Sequence, residues 1–164
     1  LDGYSCAIGI DSTIVDCSRG DPVGLRPGHL SPLHLEAVLG RLPDIATAVG
    51  APRVSGSLAA HYAPLTPMRI VTGPRLLDFI NAQRHKGDRC GVIGHSQPPQ
   101  AGMPHVWRML PADPVGYAHE LYAALRDMDH AGVDLIAVEA LPESPLWAAV
   151  SDRLRRAAAG AGQP

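Results

Sequence analysis

Two short runs near the start of the chain carry side chains that could bind an anion. The first run is GIDSTIVD at positions 9–16, and the second is LRPG at positions 25–28. Ser12 and Thr13 offer two hydroxyls at a strand start, and Arg26 offers a planar cation held before a rigid Pro-Gly turn. Together these groups could make a pocket for phosphate or carboxylate. Taken alone, the hydroxyls could equally satisfy a local turn, and Arg26 could lie on a solvated strand end.

A third run, SGSLAAHYAP at positions 55–64, lies in a stretch of chain rich in proline and glycine. The turn at Ser55 presents amides and hydroxyls, while His61 and Tyr62 could stack on a base or hydrogen-bond phosphate oxygens. Satisfied polar groups in a structured linker would explain the same residues. Both alternatives remain open at the level of the residues alone.

Turn residues and periodicity predict the elements that position these runs. The beginning of the chain predicts a β-meander, followed by a short helix that Ser31 and Pro32 begin and Gly40 ends. The meander strands are predicted near 4–10, 13–17 and 23–26. Prolines and glycines without a sustained period then indicate a linker over 41–67.

From residue 68 onward, predicted strands alternate with predicted helices, which is typical of a small parallel α/β layer structure. One helix begins at Asp113 and Pro114, carries an apolar face at i, i+3 and i+4, and stops at Gly132. The other helices are predicted at 74–86 and 144–156, and the strands at 68–72, 89–93, 105–110 and 133–140.

Composition narrows the class of protein. A net charge of -2 gives no argument for nucleic-acid binding, and no apolar stretch reaches the length of a membrane span. The three cysteines are far apart and the histidines are scattered, so neither a disulfide framework nor a metal site is indicated. These features favour a cytoplasmic protein with reduced thiols. Because the chain begins at Leu1 without a signal-peptide pattern, we expect this end to be a cut rather than a start.

The three runs, in this order, resemble motifs of the two-domain bacterial L-threonylcarbamoyladenylate synthases, a YrdC-like family. The helix at 152–158 also looks like that family's closing helix, so the resemblance covers nearly the whole chain. It implies the C-terminal part of a YrdC-like α/β twisted-sheet catalytic domain over 1–42, a linker with the HYAP motif over 43–67, and a small Rossmann-like parallel α/β accessory domain over 68–160.

The resemblance also implies a function and a set of site residues. The family is a nucleotidyltransferase that uses L-threonine, bicarbonate and ATP, with Mg²⁺, to make threonylcarbamoyl-AMP and pyrophosphate. Partner proteins then use the product to form threonylcarbamoyladenosine in tRNA, and direct tRNA contact by this chain stays open. By position, Ser12 and Thr13 resemble L-threonine ligands. Arg26, Ser55, His61 and Tyr62 resemble ATP ligands.

Two departures from the family pattern affect what this chain could do. Asp11 stands where the family usually has Glu, and the family's Lys-x-Arg and Ser-x-Asn segments are not in this sequence. We therefore expect the chain alone to be an inactive fragment. The rival hypothesis is a non-catalytic α/β module that regulates or docks partners. A carbamoyl transferase of the hydrogenase-maturation type is a further alternative, but it should lack the HYAP linker.

Several other polar and aromatic residues predict structural roles. Asp134 and Glu139 flank an apolar strand and favour end charges over an acid/base pair. Trp107 and Trp147 favour core or interface packing. For the arginines of the last helix, a solvated helix C-terminus is the expectation; they are Arg153, Arg155 and Arg156.

Overall fold

The computed structural model describes residues 8–18, 20–45, 52, 54–55, 62–96 and 106–162, with only the backbone at Ile45. These residues form two sheets. The three-stranded sheet has the order β1 (Ile14–Asp16), β2 (Val23–Arg26), β3 (Asp44–Ile45). The four-stranded sheet has the order β4 (Met68–Val71), β7 (Leu135–Glu139), β5 (Cys90–Gly94), β6 (Val106–Met109). The helices are α1 (Pro32–Leu39), α2 (Gly73–Lys86), α3 (Pro114–His130) and α4 (Ala148–Gly160).

The three-stranded sheet differs from the predicted meander. β1 pairs antiparallel with β2 as expected, but β3 pairs parallel with β2 and comes from the proline-rich stretch. In the predicted strand at 4–10, the described residues 8–10 form bends and no strand. Gly9 explains this difference, since a Cβ there would overlap the backbone of His119 on α3. The chain here packs closely on a helix instead of pairing with a strand.

Local capping chemistry sets the start of α1 and α3. Ser31 accepts a hydrogen bond from the His34 amide at 3.4 Å, and His34 Nδ1 accepts one from the Ser31 amide at 3.3 Å. Asp113 caps α3 by accepting from the Gly116 amide at 2.8 Å. Each cap is followed by a proline at the first helical turn, which has no amide hydrogen to leave unsatisfied. The predicted starts of both helices are therefore confirmed.

The second sheet is entirely parallel, and the predicted alternation of strands and helices is confirmed. Its inner strand β7 is apolar up to Val138 because helices cover both of its faces. The residues predicted as one helix from Ser144 instead form a 3₁₀ turn over Pro145–Trp147, followed by α4. α4 also continues past the predicted end, to Gly160.

Side chains of the parallel sheet alternate between two buried layers. Ile136 and Val138 face the core that α3 and α4 build, whereas Ala137 faces the smaller core under α2. Trp147 is buried in the first core and Trp107 packs against the second, as the sequence predicts. Within the described ranges, no helix combines the length and the apolar composition needed to cross a bilayer.

The strand order creates a topological switch point at the carboxyl end of this sheet. After β4 the chain passes to α2 on one face, and after its neighbour β7 it passes to α4 on the other face. Such a reversal between adjacent parallel strands is where open α/β sheets leave room at the edge. Glu139, the last residue of β7, lies at this point.

Candidate functional site

Arg26 lies at the centre of a hydrogen-bonded cluster that joins the three sequence runs. The residue is only 6% exposed. Its Nε donates to the carbonyl of Ser12 at 3.0 Å, and Nη2 donates to the Ser12 hydroxyl at 3.3 Å. Its Nη1 donates to the carbonyl of Ser55 at 2.6 Å. The structure thus brings Ser12, Arg26 and Ser55 together, with Arg26 in the interior rather than on a solvated strand end.

Strand pairing and one close approach of the backbone place these residues. Arg26 ends β2 directly opposite Ile14 of β1, so its side chain reaches the segment just before β1. The Pro-Gly turn that follows crosses the same segment. A Cβ on Gly28 would overlap the backbone of Ser12 and Thr13, so only glycine allows this crossing.

Thr13 lies beside the cluster, but its hydroxyl has local partners. Its Oγ1 donates to the carbonyl of Leu30 at 3.0 Å and accepts from the Leu30 amide at 3.0 Å. These two bonds fasten the residues after the Pro-Gly turn to the start of β1. A substrate hydroxyl or carboxylate at Thr13 would have to share or replace one of them.

Asp11 links the cluster to the last helix. Its Oδ2 lies 3.7 Å from Arg26 Nη1 and 3.3 Å from Arg153 Nη2. Arg153 Nη2 also donates to the carbonyl of Pro27 at 3.3 Å, and Nη1 donates to Asp152 at 2.8 Å. The carboxylate of Asp11 therefore lies between two guanidinium groups. One belongs to Arg26 at the end of β2 and the other to Arg153 on α4.

The sequence predicts a solvated helix end for Arg153, and this prediction is wrong. The residue is 2% exposed, whereas Arg155 is exposed. A signal was present in the sequence, since Arg153 falls three residues after Val150 and four before Ala157 on the buried face of α4. A charge at that spacing is unusual and requires a partner inside the protein.

Tyr62 lies apart from the Arg26 cluster and packs against Tyr122 of α3. Its backbone has φ of 53°, a left-handed conformation that is rare for a bulky residue. Its ring centroid lies 4.8 Å from that of Tyr122 on α3. Burial raises the pKa of the Tyr122 hydroxyl to about 12, because the phenolate would be poorly solvated there. The predicted ATP ligand His61 lies outside the described residues.

Two cavities border these residues. A cavity of about 460 Å³ is lined by Asp11, Tyr62, Tyr122 and neighbouring residues of α3. A larger cleft of about 790 Å³ separates β2 and α1 from the residues after β7, and both Thr13 and Arg26 line it. Either volume falls in the range of small-molecule pockets.

Glu139 forms a separate buried cluster at the carboxyl end of the parallel sheet. It is 3% exposed and accepts hydrogen bonds from the amides of His95 at 2.8 Å and Ser96 at 3.0 Å. The Ser96 hydroxyl donates to its other oxygen, and His95 Nδ1 lies 3.2 Å away. Burial by itself raises the pKa of Glu139, but these hydrogen bonds outweigh burial and leave the pKa below its ordinary value. Glu139 is thus a charged group at the end of β7, and it anchors the chain after β5.

In the part of the chain that the structure describes, no three His, Cys, Asp or Glu residues are grouped as metal ligands would be. The polar groups around Arg26 are mainly guanidinium, hydroxyl and carbonyl. Their chemistry suits an anionic ligand with hydroxyl or amino groups better than a bare cation.

Comparison with known proteins identifies relatives along nearly the whole chain. Residues 31–159 match the family model described as threonylcarbamoyl-AMP synthase, C-terminal domain. The threonylcarbamoyl-AMP synthase of Pyrococcus abyssi is 33% identical over 96% of this chain and 48% of its own length. That of Bacillus subtilis is 32% identical over 98% of this chain and 48% of its own length. The chain thus spans about half the length of the curated relatives it matches.

Solved structures agree with the sequence matches. The crystal structure of P. abyssi Sua5 complexed with L-threonine superposes with a TM-score of 0.78 at 33% identity, covering 93% of this chain and 46% of that one. A P. abyssi Sua5 variant in which an adjacent histidine and tyrosine are both replaced by alanine gives a TM-score of 0.76 at 31% identity. The mixed α/β fold with its four-stranded parallel sheet is shared with these structures. The chain belongs to the threonylcarbamoyl-AMP synthase family, with residues 31–159 matching the family's C-terminal domain.

Proposed function

We propose that this chain is the C-terminal part of an ATP-dependent threonylcarbamoyl-AMP synthase that serves threonylcarbamoyladenosine formation in tRNA. In this proposal residues 1–42 complete a YrdC-like catalytic domain, 43–67 form the linker, and 68–160 form a Rossmann-like accessory domain. The Lys-x-Arg and Ser-x-Asn segments would come from residues that precede this sequence in a complete synthase. The observation that carries the proposal is the cluster in which Arg26 hydrogen-bonds both Ser12 and Ser55, inside a chain of this family.

The proposed reaction has two steps. L-Threonine and bicarbonate first form a carbamate with loss of water. A carbamate oxygen then attacks the α-phosphate of ATP, which enters as its Mg²⁺ complex. The new oxygen–phosphorus bond forms as the bond to the β-phosphate oxygen breaks, and pyrophosphate leaves. Such a transfer depends mainly on positioning and on stabilising charge on phosphate oxygens.

The site residues divide between the two substrates. Ser12 and Thr13 would contact L-threonine, the compound named with the P. abyssi structure. Arg26, Ser55, His61 and Tyr62 would contact ATP. Three of the five N–H groups of Arg26 are used in the bonds to Ser12 and Ser55, and another would donate to a phosphate oxygen.

The adjacent His61 and Tyr62 would close over ATP. Support comes from the strained left-handed backbone of Tyr62, a kind of conformation that clusters at ligand clamps. The pair of alanine replacements in the P. abyssi variant also falls on an adjacent histidine and tyrosine, as in the HYAP run of this chain.

Replacing Arg26 tests the proposal in a chain that carries the complete catalytic half. The assay is release of pyrophosphate that requires both ATP and L-threonine. We expect Arg26→Ala to lower the rate by about 100-fold or more, since losing one preorganised donor typically costs about 2.7 to 4 kcal/mol. Arg41→Ala is the matched control, because Arg41 lies in the same segment and pairs with exposed Asp21 at 2.7 Å.

Arg26→Lys separates folding from substrate binding, because it keeps the buried charge but loses the planar fork of donors. We expect it to remain folded and still to lose most of the activity. Unchanged activity in both Arg26 variants would refute the role of Arg26. A complete chain with no pyrophosphate release at all would favour the non-catalytic module.

A further inference from the structure

The side chain of Arg153 crosses from the parallel α/β unit to the segment that carries Ser12 and Arg26. It is buried on α4, yet two of its contacts are with residues more than a hundred positions away in sequence. One contact is the carboxylate of Asp11 at 3.3 Å, and the other is the carbonyl of Pro27 at 3.3 Å. Both contacts come from Nη2, so a single amino group joins the two runs.

A guanidinium this deeply buried must be neutralised where it lies. Asp152 on the same helix supplies one carboxylate at 2.8 Å, and Asp11 supplies the second. An apolar side chain of similar size would avoid the desolvation cost, so the stability of α4 alone does not explain an arginine here. What the arginine adds is direction, because Asp152 holds Nη1 and the planar guanidinium then aims Nη2 at both Asp11 and Pro27.

The two residues that Arg153 holds are sequence neighbours of the proposed ligands. Asp11 immediately precedes Ser12, and Pro27 immediately follows Arg26. Asp11 also lies 3.7 Å from the Arg26 guanidinium, so Arg153 and Arg26 face the same carboxylate. A change at Arg153 would therefore move the L-threonine side and the ATP side of the site together.

We propose that Arg153 is a positioning residue through which the C-terminal α/β unit holds the two substrate-binding runs in register. This inference rests on the proposed function for its kinetic consequences, but its structural consequence can be measured without any substrate. It also gives the α/β unit a definite role in the synthase. The unit would organise a binding site whose residues Ser12 and Arg26 lie in the N-terminal segment.

The structural arm measures amide hydrogen exchange in the complete synthase. Arg153→Met removes the guanidinium while keeping much of the volume, and Arg155→Met is the control on the exposed side of the same helix. We expect Arg153→Met to raise exchange about tenfold or more in residues 11–16 and 23–30, with the strands of the parallel sheet unchanged. Exchange equal to that of the wild type in both runs would overturn the inference, whatever the activity.

The kinetic arm separates positioning from general destabilisation. We expect Arg153→Met to raise KM for both L-threonine and ATP by about tenfold, equivalent to about 1.4 kcal/mol each, with a smaller change in kcat. Arg155→Met should change either constant less than twofold. Arg153→Lys should recover part of the loss, because an ammonium keeps the charge that faces Asp11 but lacks the planar group that Asp152 orients. If Arg153→Lys and Arg153→Met lose activity only in proportion to their unfolding, the residue is structural and the proposal fails.

A double-mutant cycle tests the contact itself. Asp11→Asn removes the charge that Arg153 faces, so the two substitutions should be non-additive in both exchange and KM. Additive effects would contradict the proposed link. If the wild-type complete chain releases no pyrophosphate, the proposed function fails, and the exchange measurements still decide the role of Arg153.

Discussion

Glu139 offers a sharp test of how the parallel α/β unit is held together at its carboxyl edge. Two backbone amides and one hydroxyl of the chain after β5 donate to its buried carboxylate. Glu139→Ala leaves those donors without their acceptor in a place that is 3% exposed. The substitution keeps β7 in the sheet, so the change isolates the anchoring of His95 and Ser96.

The expected loss follows from the number of donors left unsatisfied. Each buried donor that loses its partner costs about 1–3 kcal/mol, so the two amides together would cost about 2–6 kcal/mol of folding free energy. Since water and local movement recover part of this, we expect Glu139→Ala to lower the free energy of unfolding by about 2–4 kcal/mol. Glu139→Gln should cost about 1 kcal/mol. Its carbonyl can face the two amides while its amino group donates to the Ser96 hydroxyl, which can rotate.

The dependence of this effect on pH has a definite sign. The pKa of Glu139 is lowered in the folded protein, so the unfolded chain binds the proton more tightly. The stabilisation is therefore fully present above the unfolded pKa and is lost as the pH falls through the folded pKa. The gap in stability between wild type and Glu139→Gln should stay constant above about pH 5 and shrink as the pH falls further.

Urea unfolding followed by tryptophan fluorescence measures these differences, since Trp147 lies in the main core with its ring centroid 5.9 Å from that of His95. Glu143→Gln is the matched control, because Glu143 is exposed after the same strand. We expect that control to stay within about 0.5 kcal/mol of wild type. Equal stability of wild type and Glu139→Ala, or a gap that widens in acid, would refute the reasoning.

Two further substitutions probe how the N-terminal segments attach. Asp129 on α3 accepts hydrogen bonds from the amides of Leu65 at 3.0 Å and Thr66 at 2.9 Å. We expect Asp129→Ala to raise the rate of limited proteolysis just before β4 severalfold without changing the exchange of β5, and an unchanged rate would count against this anchor. Gly28→Ala should destabilise the β1–β2 contact by more than the roughly 1 kcal/mol expected for Gly87→Ala, where the left-handed φ of 93° is strained for alanine but open space surrounds the Cβ position. Amide exchange in β2 compares the two variants, and similar exchange in both would disprove the close crossing.

The sequence predicted the parallel α/β unit well because its signals are local. The apolar face of α3 and the apolar run of β7 each appear within one element, and turn residues separate them. The short strand β3 was missed, because its two residues lie in a proline-rich stretch and gain their strand character only by pairing with β2. Pairing over that distance leaves no periodic pattern to detect.

The sequence could indicate which residues belong to the candidate site, but not which atoms they contact. Ser12 and Arg26 stood out by type, but the Arg26 bond to Ser55 is to a backbone carbonyl, which any residue could supply. The local partner of Thr13 is likewise the backbone of Leu30. Arg153 could have been identified from its place on the apolar face of α4, whereas its partner Asp11 is visible only once the chain is folded.

The strand order of the parallel sheet has a consequence for synthesis of the chain. Of the four strands described in this sheet, β7 is the last to leave the ribosome, yet it lies between β4 and β5, which both pair with it. Until residues 135–139 emerge, β4 has no neighbour in this sheet, and the β5–β6 pair has an open edge. The unit can therefore close only after nearly all of it has been translated, and a nascent chain stopped before β7 presents two unpaired strand edges that the complete sheet does not have.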